Sequence, residues 1–240
     1  MRRLMRFTSI LVVLLMICGC SLAEDVTKEN LDIEYTDNAI IASLNTNEYY
    51  AKPLIVFFPG SGECHSVYSS ANFIQNYNLY DDLDCDIIIV AMRDSGTDYR
   101  SWQGVCDDLV EYLLPLVERL SEDDEFPIII DTVSFGGYGG CYFAAEAQDN
   151  NLWIKELNLA DACNTGVVTP DMVRDIAETG VQVNAYASTG GNNISRSTRN
   201  VIDELDGTRG FSGEVFSVSH GAVLAEAINE SGLHEELQEQ

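Results

Sequence analysis

The chain of 240 residues reads as one α/β domain, a doubly wound and mostly parallel sheet with helices on both faces and no large lid. Two observations carry this reading. Short apolar runs without a polar face, the kind buried on both sides of a parallel sheet, recur from residue 53 onward. Stretches with helical spacing alternate with them, and such alternation implies right-handed crossovers. No internal repeat, low-complexity segment or long insertion interrupts the pattern.

The chain opens with "MRRLMRFTSILVVLLMICGC". Arg2, Arg3 and Arg6 precede an apolar run from Ile10 to Ile17, the layout of a secretory signal. That run is shorter than the roughly 20 residues needed to span a bilayer. It ends in "ICGC", which resembles a bacterial lipobox, with small Gly19 before Cys20. The resemblance implies a signal peptide over 1–20, a lipidated N-terminus at Cys20, and a protein tethered outside the cytoplasmic membrane. The alternative is cleavage after "SLA", which releases a soluble protein. Residues 21–30 read as a polar tether and 31–240 as the domain, which is large enough for a sizeable core.

Within the domain, "LDIEYT" and "AIIASL" roughly alternate polar and apolar residues and predict a short antiparallel start. Six apolar runs then predict strands: "PLIVFFPG" (53–60), "CDIIIVAM" (85–92), "PIIIDTVS" (127–134), "IKELNLAD" (154–161), "VQVNAYAS" (181–188) and "GEVFSVS" (213–219). Between the second and third, "VCDDLVEYLLPLVERL" places Val105, Leu109, Leu113, Leu116 and Leu120 on one helical face despite Pro115. "FGGYGGCYFAAEAQ", "TPDMVRDIAETG" and "STRNVIDEL" supply three more helices. "AVLAEAINESG" closes the domain with a glycine after its last turn.

Thirteen basic against 39 acidic residues give a formal charge of −26, and removal of the leader takes away three arginines and no acids. Nucleic acid is therefore excluded as a partner, since phosphate binding needs a basic surface. So is an anionic membrane surface, beyond the lipid anchor itself. The charge fits a solvated extracytoplasmic surface. The acid clusters "YDDLDCD" and "SEDDEF" fall in predicted loops without the spacing of a calcium loop. Past Cys20, the cysteines are Cys64, Cys85, Cys106, Cys141 and Cys163, an odd number with no CxxC or histidine-rich spacing for zinc. One or two disulfides are compatible with the compartment, with pairing left open.

In doubly wound sheets ligands bind outside the carboxyl ends of the strands. There "PIIIDTVSFGGYGG" runs from a strand into Ser134, Phe135, Gly136 and Gly137. A serine on a sharp strand-to-helix turn holds its hydroxyl up at the sheet edge. The N–H of Phe135 then stands at a helix head, where it can face a developing oxyanion. "VSFGGYGG" resembles the nucleophile elbow of the alpha/beta-hydrolase superfamily, especially esterase-D-like carboxylesterases with an S-x-G-G-x-G run. The strand and helix order extends the resemblance over most of 31–232. One departure is Thr132, where the superfamily's G-x-S-x-G has glycine. A β-branched residue there makes the turn harder to close.

The resemblance implies a general base after the last strand, where "FSVSHGAVL" carries His220. It also implies a second oxyanion N–H from the loop after the strand 53–58. In "FFPGSGECHS" that donor is Ser61 by position, with Gly62 the next candidate, although Pro59-Gly60 replaces the usual His-Gly. The superfamily most often places its acid after the penultimate strand. That loop, "STGGNNISRS", has no carboxylate, though Asn192 or Asn193 can orient an imidazole. Asp161 ends "LNLAD" one strand earlier, a position some lipases of the superfamily use. It is the residue chosen here, because an ionised carboxylate fixes the histidine tautomer and stabilises the imidazolium.

Other residues at the same rim read more softly. His65 either touches substrate or lies on the surface, and His234 in "LHEEL" reads as a solvated helix residue. The favoured reading is that Arg93 and Asp94 hold their loop together and Trp102 packs over the core; the alternative is that Arg100 or Trp102 shapes an acyl or leaving-group pocket. Taken together the sequence predicts a carboxylesterase-type serine hydrolase with Ser134, His220 and Asp161 as triad, Phe135 and Ser61 as oxyanion donors, and no metal or organic cofactor. The expected substrate is a small-molecule or surface ester. The alternatives are an acyltransferase or peptidase with the same triad, or a non-catalytic surface binding lipoprotein. Thr132, Pro59 and the missing late-strand acid favour the last.

Overall fold

Apolar runs with no polar face have to be covered on both sides, and two helical layers do so here. The computed structural model describes residues 31–44, 53–81, 83, 85–94, 98–120, 126–164 and 166–238. Residues 1–30, on which the expected signal peptide, Cys20 and tether fall, lie outside the described residues.

The elements follow the predicted order. They are β1 (Asp32–Tyr35), β2 (Ala39–Leu44), β3 (Leu54–Phe58), α1 (Val67–Asn76), β4 (Asp86–Met92), α2 (Ser101–Leu120), β5 (Ile128–Val133) and α3 (Gly136–Asp149). After these come β6 (Ile154–Ala160), α4 (Pro170–Glu178), β7 (Gln182–Ser188), α5 (Asn193–Leu205) and β8 (Phe211–Phe216). A 3₁₀ turn (His220–Ala222), α6 (Val223–Glu230) and α7 (Glu235–Gln238) complete the chain. One sheet runs β1-β2-β4-β3-β5-β6-β7-β8. β1–β2 and β2–β4 are antiparallel, and every later pairing is parallel. This is the doubly wound α/β-hydrolase type of sheet.

The two faces of the strands divide the core. On one, Val56, Phe58, Ile88, Val90 and Ile130 share a cluster with Leu109 of α2, Phe143 of α3, Val173 of α4 and Val201 of α5. On the other, Ile55, Phe57, Ile89 and Ile129 share one with Ile74 of α1 and Leu224 of α6. α1 was not expected from the sequence. Its fully buried face is Val67, Ser70, Ala71 and Ile74, and half-buried Tyr68 and Phe73 pack against the same cluster. α2 continues through Pro115, whose lost N–H strands a carbonyl at exposed Glu111, where water can satisfy it. α5 starts four residues before the predicted stretch because the Asn192 side chain accepts from the Ser195 N–H at 2.7 Å and caps it.

His234 departs most from the sequence reading. It is buried, and its Nε2 lies 3.0 Å from Asp131 Oδ2. Asp131 also accepts from Tyr80 Oη at 2.7 Å and from Asn158 Nδ2 at 2.8 Å. Burial pushes the Asp131 carboxyl up, but His234 and these donors outweigh it and hold the group below its usual range. In register beside Asp131 and Asn158 stand Asn184 and Ser212, so a polar row crosses β5 to β8 within the sheet. A cavity of about 510 Å³ opens on this row beside Glu156, Asn184, Tyr186 and His234. None of the predicted site residues lines it. Cys64, Cys106, Cys141 and Cys163 are buried thiols.

Candidate active site

β5 leaves the sheet through Ser134, whose φ of 53° puts a non-glycine residue in the left-handed region. The turn is tied at both ends. Ser134 N–H donates to the Ala160 carbonyl at 3.2 Å, and Gly137 N–H donates to the Ser134 carbonyl at 3.2 Å. α3 then begins, with Phe135 at its N-cap in helical geometry, so the Phe135 N–H belongs to the unpaired head of the helix. The helix head is jammed against two neighbouring segments. A Cβ on Gly136 would lie 2.3 Å from the Phe58 carbonyl oxygen, and one on Gly137 would lie 2.1 Å from that of Ala162. Only glycine permits either approach.

Thr132 does not obstruct the elbow. Its hydroxyl donates to the Asn158 carbonyl at 2.9 Å. Its methyl occupies space on the α3 side that Gly140 leaves open, since a Cβ on Gly140 would sit 2.3 Å from Thr132 Cγ2. The room supplied by glycine in the strand of the usual motif is supplied here by glycine in the helix. Gly140→Ala is therefore expected to destabilise the domain by about 1–3 kcal/mol through overpacking. The double variant with Thr132→Ser, which removes that methyl, is expected to recover most of the loss in urea unfolding. Simple additivity of the two changes would contradict the coupling.

One strand away, Asp161 ends β6 with a φ of 45° and is fully buried. Its Oδ2 lies 2.9 Å from His220 Nδ1. The same oxygen accepts from Ser188 Oγ at 2.6 Å and Ser195 Oγ at 2.7 Å, and Oδ1 accepts from the Ser188 N–H at 3.0 Å. Burial alone raises the Asp161 carboxyl. The hydrogen bonds from His220, Ser188 and Ser195 outweigh it and hold the group below its usual range, hence ionised at neutral pH. His220 follows β8 in the 3₁₀ turn, with its side chain about one-third exposed. Ser134, Asp161 and His220 thus all follow carboxyl ends of parallel strands, and the Ser134 and Asp161 turns are in contact through Ala160 and Ala162. Among the described residues no hydrogen bond joins the Ser134 hydroxyl to His220. Such contacts are often long without substrate.

Asn192 and Asn193, the alternatives to Asp161, are engaged elsewhere. Asn192 caps α5, and Asn193 Oδ1 accepts from Arg196 at 2.6 Å. The end of β7 and the first turn of α5 nevertheless reach Asp161 through Ser188 and Ser195, two hydroxyls that nothing in the sequence distinguishes.

The loop after β3 closes beside the elbow. The N–H groups of Glu63 and Cys64 both fold back to the Gly60 carbonyl, at 3.1 and 2.9 Å, which forms a turn around exposed Ser61 and Gly62. The position of a Cβ on Gly60 would be 3.6 Å from Ser134 Cβ and 3.3 Å from Glu63 Oε2. The loop therefore lies beside Ser134, and Glu63, which the sequence reading passed over, is there with it. Both ring nitrogens of His65 are buried without a hydrogen-bond partner among the described residues. Arg93 reaches away from Asp94, to the Thr36 carbonyl at 2.5 Å, and so ties its loop to the β1–β2 turn. Arg100 is exposed, and Trp102 is fully buried against Phe58 and Phe135.

Among the described residues no group of three or more His, Cys, Asp or Glu side chains could hold a metal ion. No described helix is long and apolar enough to cross a membrane.

Sheet order, elbow and strand-end residues define the α/β-hydrolase fold. The chain is similar in structure to a fungal esterase from Rhizomucor miehei, with a TM-score of 0.64 and 9% identity over 87% of this chain and 82% of that one. It is similar to an esterase of Pyrobaculum calidifontis, with a TM-score of 0.62 and 14% identity over 90% and 84% of the two chains. A bacterial heroin esterase gives a TM-score of 0.62 and 14% identity over 90% and 86%. No protein-family profile matches the chain, and no curated protein matches it in sequence.

Proposed function

We propose that this chain is a serine hydrolase that cleaves carboxylic esters through an acyl-enzyme. One observation supports this most strongly. An ionised, fully buried carboxylate is hydrogen bonded to the imidazole of His220 at the strand-end rim that also carries Ser134 on a left-handed elbow. Asp161 accepts the Nδ1–H of His220, which leaves Nε2 as the basic nitrogen. Ser134 Oγ attacks the ester carbonyl carbon while His220 takes its proton. The carbonyl π pair moves onto oxygen, and the N–H groups of Phe135 and Ser61 receive that oxyanion. Collapse expels the alcohol, which takes the proton from His220. Water then attacks the acyl-Ser134 ester by the same route and releases the acid. The esterase neighbours support ester hydrolysis over amide cleavage by fold analogy.

A panel of p-nitrophenyl esters of increasing acyl length tests the activity. Hydrolysis that saturates with substrate and vanishes in Ser134→Ala supports the proposal, and a folded protein inert towards the whole panel contradicts it.

We also propose that the protein acts outside the cytoplasmic membrane, anchored by lipid at Cys20, on the support of the lipobox-like "ICGC". Cys20→Ser is expected to abolish incorporation of labelled palmitate and to move the protein out of the membrane fraction. Unchanged palmitate labelling would contradict the anchor.

A further inference from the structure

Glu63 stands in the loop proposed to donate an oxyanion N–H, yet its side chain is a carboxyl. Its Oε2 is 3.3 Å from the position of a Gly60 Cβ, and Ser134 Cβ is 3.6 Å from the same position. The carboxyl is therefore within two van der Waals contacts of the nucleophile's own Cβ. Among the described residues no cation and no side-chain donor pairs with it. Its hydrogen-bond partner is neutral, its own backbone N–H, which also donates to the Gly60 carbonyl at 3.1 Å. Burial pushes the Glu63 carboxyl above its usual range, as expected of a half-buried acid that lacks a counter-charge. A negative charge at this place opposes the developing oxyanion, and a nearby positive charge relieves that opposition.

We infer that Glu63 is a specificity-determining residue that selects esters carrying a positive charge, a quaternary ammonium or protonated amine, within a few bonds of the scissile carbonyl. The inference rests on the hydrolase reading above and adds the substrate class. The cation of the substrate supplies the counter-charge that Glu63 lacks among the described residues, so that the Glu63–ammonium pair forms as the oxyanion develops. An ester without the cation meets an uncompensated carboxylate. The general acidity of the chain also attracts cations, but over a longer range and subject to screening by salt.

Two matched pairs separate charge from shape. Acetylcholine is compared with its neutral analogue 3,3-dimethylbutyl acetate, and p-nitrophenyl 4-(trimethylammonio)butyrate with p-nitrophenyl 5,5-dimethylhexanoate. The ratio of kcat/KM, cationic over neutral, is measured at about 0.15 M salt for wild type and Glu63→Gln. In at least one pair the wild type is expected to favour the cation by about tenfold or more, and Glu63→Gln is expected to lower the ratio by about tenfold. A wild type that hydrolyses the neutral esters with no cationic preference in either pair overturns the Glu63 assignment alone. So does a preference that survives intact in Glu63→Gln. A wild type that hydrolyses none of the four overturns the hydrolase reading and this inference with it.

Discussion

Ser134→Ala is expected to lower kcat for p-nitrophenyl ester hydrolysis by about a millionfold, with the domain's unfolding midpoint nearly unchanged. The size follows from the role. Without Oγ no acyl-enzyme forms, and the variant keeps only the modest acceleration due to binding and oxyanion stabilisation. The small stability effect follows from geometry. The left-handed turn is held by the backbone bonds Ser134 N–H to Ala160 and Gly137 N–H to Ser134, and alanine retains both. The Ser134 hydroxyl makes no hydrogen bond among the described residues, so its removal orphans no partner. Residual activity at a hundredth of wild type would mean that another group attacks the ester.

Asp161→Asn is expected to lower kcat by about ten-thousandfold. The substitution keeps the shape but replaces an acceptor with an amide. The amide then turns its NH₂ towards His220 Nδ1 and traps the tautomer that carries its proton on Nε2, the nitrogen that has to be basic. Ser188 and Ser195 aggravate the effect. Both hydroxyls and the Ser188 N–H donate to Asp161, and a carboxylate accepts all of them together with His220, whereas an amide has a single acceptor oxygen. Asn192→Ala is the control, because Asn192 caps α5 and among the described residues makes no hydrogen bond to Ser134, Asp161 or His220. It is expected to cost about 1 kcal/mol of stability and less than about threefold in kcat. Equal losses in the two variants would remove Asp161 from its proposed role.

The strand order and the strand-end residues were legible because each rests on a local signal. Ile128–Ile130 opens its strand as a β-branched apolar run, Ser134 follows Val133 just before a glycine pair, and Asp161 is the one carboxylate ending a buried run. What was not legible depends on contacts between distant segments. Thr132 reads as an obstacle until Gly140, on the helix packed over it, is seen to leave room for its methyl. Ser188 and Ser195 are ordinary hydroxyls until the fold brings both to one carboxylate oxygen. His234 has acidic sequence neighbours, yet positive φ at Gly232 and His234 turns the chain back. Buried Leu233 and Leu237 anchor the segment, and the imidazole meets Asp131 inside the sheet layer. α1 escaped notice because its buried face mixes Val67, Ala71 and Ile74 with Ser70, and interleaved serines and asparagines break up its apolar run.

In the proposed mechanism Ser134 is a nucleophile activated by the His220–Asp161 pair. Covalent trapping with a fluorophosphonate, read by intact mass and peptide mapping, tests it most directly. Attack by Oγ on phosphorus displaces fluoride and leaves a stable phosphonyl ester. A single adduct is expected, mapped to Ser134, absent from Ser134→Ala and formed far more slowly in His220→Ala. A folded wild type that takes up no label, or a Ser134→Ala variant labelled as fast as wild type, would contradict it.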